Sequence, residues 1–162
     1  MRALKVLARS ALTLLGLAVG TALASAAAAA IAKPRLADRS QPDDDELDLV
    51  AIYGSRELRS TSRAFRGGRL LCWYASTDLD LRGARLDPAG GDLLVWTVFG
   101  STRILVPEDW PVDPRGVAVF GGAHSATSPE PGREGPVLSV RHRTVFGGLA
   151  VVAGPDDELL AV

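Results

Sequence analysis

Val98-Phe99-Gly100-Ser101-Thr102-Arg103-Ile104-Leu105-Val106 decides how this chain is read, because its opening recurs. Val119-Phe120-Gly121-Gly122 and Val145-Phe146-Gly147-Gly148 repeat it, and Ile52-Tyr53-Gly54-Ser55 and Trp73-Tyr74-Ala75-Ser76 are weaker copies. The aromatics fall at Tyr53, Tyr74, Phe99, Phe120 and Phe146, in steps of 21, 25, 21 and 26 residues. A period of that size is the signature of a solenoid, in which each repeat is one coil stacked on the next.

Aligning the repeats on their aromatics gives columns that keep their polarity, as strand alternation requires. The column after the aromatic is small throughout: Gly54, Ala75, Gly100, Gly121, Gly147. It marks a bend where a Cβ would crowd the corner or where φ turns positive. Five positions past the aromatic the column is mostly apolar: Leu58, Leu79, Ile104, Ser125, Val151. Four positions past, it is mostly polar: Glu57, Asp78, Arg103, His124, Ala150. Taken coil by coil, Glu57 stacks before Asp78, Arg103 follows, and His124 comes after Arg103. Phe99 and Phe120 are expected in the core.

Working outward, short β-rich runs are broken by turn clusters such as Arg66-Gly67-Gly68, Pro88-Ala89-Gly90-Gly91 and Asp113-Pro114-Arg115-Gly116. No helical spacing follows the N-terminal segment. The expected fold is all-β, a single-stranded right-handed β-helix of about five coils over residues 48–162, with a β-sandwich carrying recurrent Phe-Gly turns as the alternative.

Residues 1–32 form a different region. Arg2, Lys5 and Arg9 precede Ser10–Ala32, which carries no charge and is followed by Lys33-Pro34-Arg35. About 20 apolar residues suffice to cross a bilayer core. The segment therefore reads as a signal-anchor transmembrane helix, single-pass, with the domain on the exported side of the cell membrane. The alternative is a signal peptide, with Ala24-Ser25-Ala26 as its cleavage site and a secreted product. Residues 33–47, with Asp43-Asp44-Asp45-Glu46, read as a flexible acidic linker. A calcium site is the alternative there, although the run lacks spaced ligands and a turn glycine.

The chain is 162 residues with a net charge of −1, which gives no electrostatic case for nucleic acid. Its single cysteine, Cys72, excludes an internal disulfide and a multi-cysteine zinc site. Within Leu70-Leu71-Cys72-Trp73 it reads as a buried structural thiol.

Several of these motifs together resemble a known family. They are Leu94–Gly100, the turn Val106-Pro107-Glu108-Asp109-Trp110, and the Val-Phe-Gly-Gly copies at 119–122 and 145–148. Phe65-Arg66-Gly67-Gly68 and Asp80–Leu86 fit as well. The combination looks like the C-terminal domain of the cell-wall-active-antibiotics-response, or LiaF-like, proteins, from about Leu47 to Val152. The resemblance implies a β-solenoid-like domain attached to a membrane segment, a role in cell-envelope stress response, and a protein partner in the envelope such as a sensor-type membrane protein. This chain carries one apolar segment where the family's regulators have several helices.

Catalytic chemistry needs convergent polar groups. His124 and His142 are the only histidines, and no triad or metal-ligand spacing is present. No catalytic, cofactor or metal site is expected. Asp78-Leu79-Asp80 is the one suggestive stretch, since alternation would put both carboxylates on one strand face, about 7 Å apart. Glycan-cleaving enzymes use acid pairs at such separations. The plainer reading pairs these acids with Arg82 and Arg103. Trp73 and Trp96 are expected to be partly buried, with Trp110 closing a Pro-flanked turn. The functional expectation is a membrane-tethered, non-enzymatic envelope protein acting as an interaction or regulatory module. An exported glycan-acting enzyme and a purely structural envelope module are the alternatives.

Overall fold

The computed structural model describes residues 20, 23–31, 38–125 and 135–154. Two compact units divide between Leu36 and Ala37. In the first, residues 23–31 are helical, an alanine-rich run of high helix propensity. No helix among the described residues is long and apolar enough to cross a membrane, and much of Ser10–Ala32 lies outside them.

The second unit is mostly β. Its strands are β1 (Glu46–Arg59), β2 (Gly67–Asp80), β3 (Gly91–Val106), β4 (Val112–Val119), β5 (Gly122–Ser125) and β6 (Leu138–Ala153). All pair in parallel, in the order β1-β2-β3-β6-β4, with β5 also on β6.

The strands are bent. In β3 the buried positions are Leu93, Val95 and Thr97 before Phe99, then Thr102, Ile104 and Val106 after it. The buried set changes from odd to even numbers, so the period-2 alternation slips by one at the aromatic. Thr97 and Thr102 face each other across the slip, with their buried Oγ1 atoms 2.7 Å apart. Chain reach makes the same point. The connection 107–111 spans at most about 20 Å, whereas a straight strand of β3's length would extend about 53 Å. It still carries the chain from the end of β3 to the start of β4, which lies level with the start of β3 through their common partner Leu138.

The bends enclose one core. Leu49, Leu70, Leu93 and Val140 line it before the bend, and Leu58, Leu79, Ile104 and Val151 after it. The connections close the third side. Phe65 bridges Leu86 in parallel fashion and stacks on Trp110 at 6.1 Å. Backbone bonds run from connection to connection, Phe65 N–H to the Arg85 carbonyl and Arg85 N–H to that of Ser62, both at 2.8 Å. Cys72 is fully buried as expected, its thiol donating to the Ala75 carbonyl at 3.1 Å.

Sequence order is not stacking order. β6 lies between β3 and β4, so Ala150 follows Arg103 in the polar column and His124 comes one strand later. The expectation that His124 sits next to Arg103 is corrected. Pro114 supplies a physical reason: it has no N–H and is confined to sheet edges. β4 carries it and takes the edge; β6, free of proline, takes the interior place. Earlier columns match their expected register, Glu57 beside Asp78 and Asp78 beside Arg103.

The segment read as a free acidic spacer is bonded to the domain from Asp38 onward. Asp38 pairs with Arg56, Ser40 Oγ accepts from Asp48 N–H, and Asp45 accepts from Ser62. It runs along β1 at one edge of the sheet.

At three of the bends, those of Gly100, Gly121 and Gly147, glycine is required by close approach. A Cβ on Gly147 would collide with the carbonyl oxygen of Gly100, and one on Gly100 with that of Ala75. Gly147→Ala is expected to cost about 3 kcal/mol or more, the upper end for a side chain forced into a packed site. Gly122→Ala, where a Cβ meets nothing within 4 Å, should leave denaturant unfolding almost unchanged. Equal effects of the two would contradict the packed corner.

Candidate functional site: an exposed aromatic ladder

Every one of the repeated aromatics occupies the left-handed region, with φ of 54° at Tyr53, 50° at Tyr74, 51° at Phe99, 53° at Phe120 and 52° at Phe146. This conformation is rare for bulky residues. It turns the backbone and sends the ring outward, while the small residue that follows faces the neighbouring strand. The expectation that Phe99 and Phe120 are core residues is therefore wrong. Phe120 is 76% exposed, Phe146 44% and Tyr53 39%, while Tyr74 and Phe99 are partly covered by the rings beside them.

The rings form a continuous external stack in the order Tyr53, Tyr74, Phe99, Phe146, Phe120. Centroid separations are 5.6 Å for the first pair and 4.8 Å for each of the others, whose rings lie within 8° of parallel. The spacing is that of adjacent strands.

The ladder's energetics are informative. A left-handed L-residue costs about 1–2 kcal/mol, and a stacked aromatic pair contributes about 0.5–1.5 kcal/mol beyond burial. An inner ring with two neighbours roughly offsets its corner. Phe120 has one neighbour and most of its surface in water, so it does not. Exposed strain of this kind is characteristic of surfaces that bind something.

The two acids differ in burial and in their partners. Asp78 is half-exposed and meets Arg103 at 3.8 Å. Asp80 is buried and chelated by Arg82, whose Nε and Nη2 donate to its two carboxylate oxygens at 2.9 and 3.2 Å. Arg59 adds a contact at 3.3 Å. Burial raises the carboxyl's pKa, but the hydrogen bonds and charge of Arg82, helped by Arg59, outweigh it and hold it below the usual value. A carboxylate fixed in that state is a poor proton donor. Both acids have the arginine partners of the plainer reading.

His124 is exposed at the sheet edge. His142 is buried, its Nδ1 has no partner among the described residues, and desolvation lowers its pKa. Trp73 is half-buried as expected, Trp110 is buried against Phe65, and Trp96 is 41% exposed, more than expected. Among the described residues no three His, Cys, Asp or Glu side chains converge as metal ligands, the acidic run 43–46 included. The sequence reading passed over Arg115, Arg141 and Arg143, which emerge together beside Trp96. Their signal was the alternation Arg141-His142-Arg143, which puts two cations on one face.

Two outcomes follow from this geometry. Phe120→Asn, which suits a left-handed corner, should be neutral or stabilising by thermal unfolding, unlike a core Phe→Ala, which costs about 3–5 kcal/mol. A core-sized loss would contradict the exposed ladder. Asp80→Ala leaves Arg82 buried beside no carboxylate and should cost about 3–5 kcal/mol. Because the Asp80 pKa is depressed, its contribution is present above the unfolded value of 3.8 and is lost as pH falls below it. In Asp80→Asn that acid-side loss should shrink. No family model, curated protein or solved structure matches the chain.

Proposed function

We propose that this chain is a membrane-tethered, non-enzymatic envelope protein whose domain is a right-handed β-helix serving as an interaction or regulatory module in the response to envelope stress. The observation that carries the reading is the exposed ladder Tyr53–Tyr74–Phe99–Phe146–Phe120. It presents rigid aromatic surface, the composition favoured at protein interfaces, at low entropic cost. The bent parallel strands and their short connections support the β-helix. The uncharged stretch Ser10–Ala32 supports the tether, with an exported domain. The resemblance of the Phe-Gly repeats to the LiaF-like domain supports the envelope-stress setting and a sensor-type membrane protein as partner. The arginines on Asp78 and Asp80 speak against a glycan-cleaving acid pair.

The test is a photo-crosslinking amino acid in place of Tyr74, on the ladder, in native membranes. One specific protein adduct is expected, lost when Phe99 and Phe146 are both changed to Ser. Absence of an adduct, together with peptidoglycan hydrolysis that disappears in Asp78→Ala, would overturn the reading in favour of the enzyme. Recovery of the intact domain in the soluble exported fraction, beginning at Ala27, would replace the tether with a cleaved signal peptide.

A further inference from the structure

Side chains three and five residues before each aromatic point out of the sheet on the side away from the core. At the β1 end these outer columns hold the Asp48–Arg69 ion pair beside Val50 and Leu71, and toward the β4 end they gather arginines. One runs Trp96, Arg143, Val117 and the other Leu94, Arg141, Arg115 across β3, β6 and β4. Arg115 and Arg141 are direct Cα partners. Like charges placed opposite one another on neighbouring strands destabilise a sheet. Asp113 offsets Arg115 at 2.7 Å and Asp92 offsets Arg141 at 3.5 Å, with both arginine side chains more than half exposed. Arg143 has no carboxylate partner among the described residues; its guanidinium carbon lies 5.1 Å from the centroid of the Trp96 ring.

These three guanidinium groups and the indole line a cavity of about 440 Å³, floored by Gly116 and His142. Guanidinium forks match phosphate oxygens, and a group stacked on an indole is already oriented for them. The cavity's rim is apolar. Val117 lines it at 63% exposure, and Val119 continues the same outward face of β4. A free aqueous anion has no use for such a rim. A membrane lipid presents a phosphate directly above an apolar boundary, so cations and aliphatic side chains on one face meet both parts of it.

We propose that Arg115, Arg141 and Arg143, ordered by Trp96, bind the phosphate of anionic membrane phospholipids, with Val117 and Val119 entering the boundary between headgroups and acyl chains. This site adds a second, peripheral membrane contact to the tether and does not depend on a protein partner at the ladder. Its failure would leave the proposed tether and ladder untouched.

The test uses the full chain with Val117→Cys in a Cys72→Ser background, labelled with an environment-sensitive fluorophore. It is incorporated into vesicles of phosphatidylcholine alone or of phosphatidylcholine with phosphatidylglycerol, so that any tether acts equally in both. A blue shift is expected only where phosphatidylglycerol is present. Arg141→Gln and Arg143→Gln, both exposed and tolerant of change, should each weaken that response about fivefold, whereas Arg103→Gln, outside the cavity, should preserve it. Equal emission in the two vesicle types would overturn the proposal. So would a double variant that responds like the parent, or a loss of response in Arg103→Gln, which would reduce the effect to net charge. The same shift produced by inorganic phosphate in detergent, without phosphatidylglycerol, would identify a free-phosphate site instead.

Discussion

The contact between a backbone carbonyl and a glycine at three of the bends, at Gly100, Gly121 and Gly147, is what the rest of this domain depends on. At Gly100 and Gly147 the neighbouring strand's carbonyl occupies the space of a Cβ. That approach is possible because the preceding aromatic takes a left-handed φ and turns the chain. The bend brings the ends of long strands close together, which lets connections such as 107–111 return the chain within reach of the next strand's start. It also fixes the phase of the inward side chains on both arms, so Val95 and Ile104 reach one core from two sides. The outward aromatic stack is the external counterpart of the same corner. Strand pairing sets the separation, and the rings have no other place to go.

Much of this was legible in the sequence. The aromatic spacing located the bends, the small residues beside them signalled crowding, and polarity at fixed offsets gave Asp78 its partner Arg103. Ring direction is not legible in this way: aromatic character points to burial, whereas the left-handed φ sends these rings outward. Nothing local in Val-Phe-Gly marks the phenylalanine, rather than the glycine, as the left-handed residue; that is settled by the carbonyl pressing on the glycine from the next strand. The burial of Asp80 is likewise not legible in the sequence. Alternation gives its position along β2, but not its burial, which follows from Arg82 two residues on closing over its carboxylate. Strand order was hidden as well, although Pro114 was visible as an edge residue all along. The acidic segment looked solvated by composition, yet Asp38, Ser40 and Asp45 each find a partner in the domain.

These features divide the surface by chemistry. The polar column of Glu57, Asp78 and Arg103 faces water, and its ion pair Asp78–Arg103 is worth about 0–1 kcal/mol. The ladder is rigid, apolar and strained. The outer columns before the bend hold the Asp48–Arg69 ion pair beside Val50 and Leu71 at β1 and β2, and gather three arginines around Trp96 toward β4. The two sheet edges also differ. Residues 38–45 accompany β1, whereas β4 carries Pro114, which blunts an edge against unwanted pairing.

The central claim is that the corners stack in the order Tyr53, Tyr74, Phe99, Phe146, Phe120, with β6 placed between β3 and β4. Paired cysteines in a Cys72→Ser background test it directly. Arg103 and Ala150 are Cα partners on β3 and β6, whereas Arg103 and His124 are separated by β6. Partners on adjacent strands lie within disulfide range; residues two strands apart, at about 9–10 Å, do not. Mild oxidation should close Arg103→Cys with Ala150→Cys and leave Arg103→Cys with His124→Cys as free thiols. The reverse outcome would mean that the repeats stack in sequence order, and the aromatic ladder described here would be wrong.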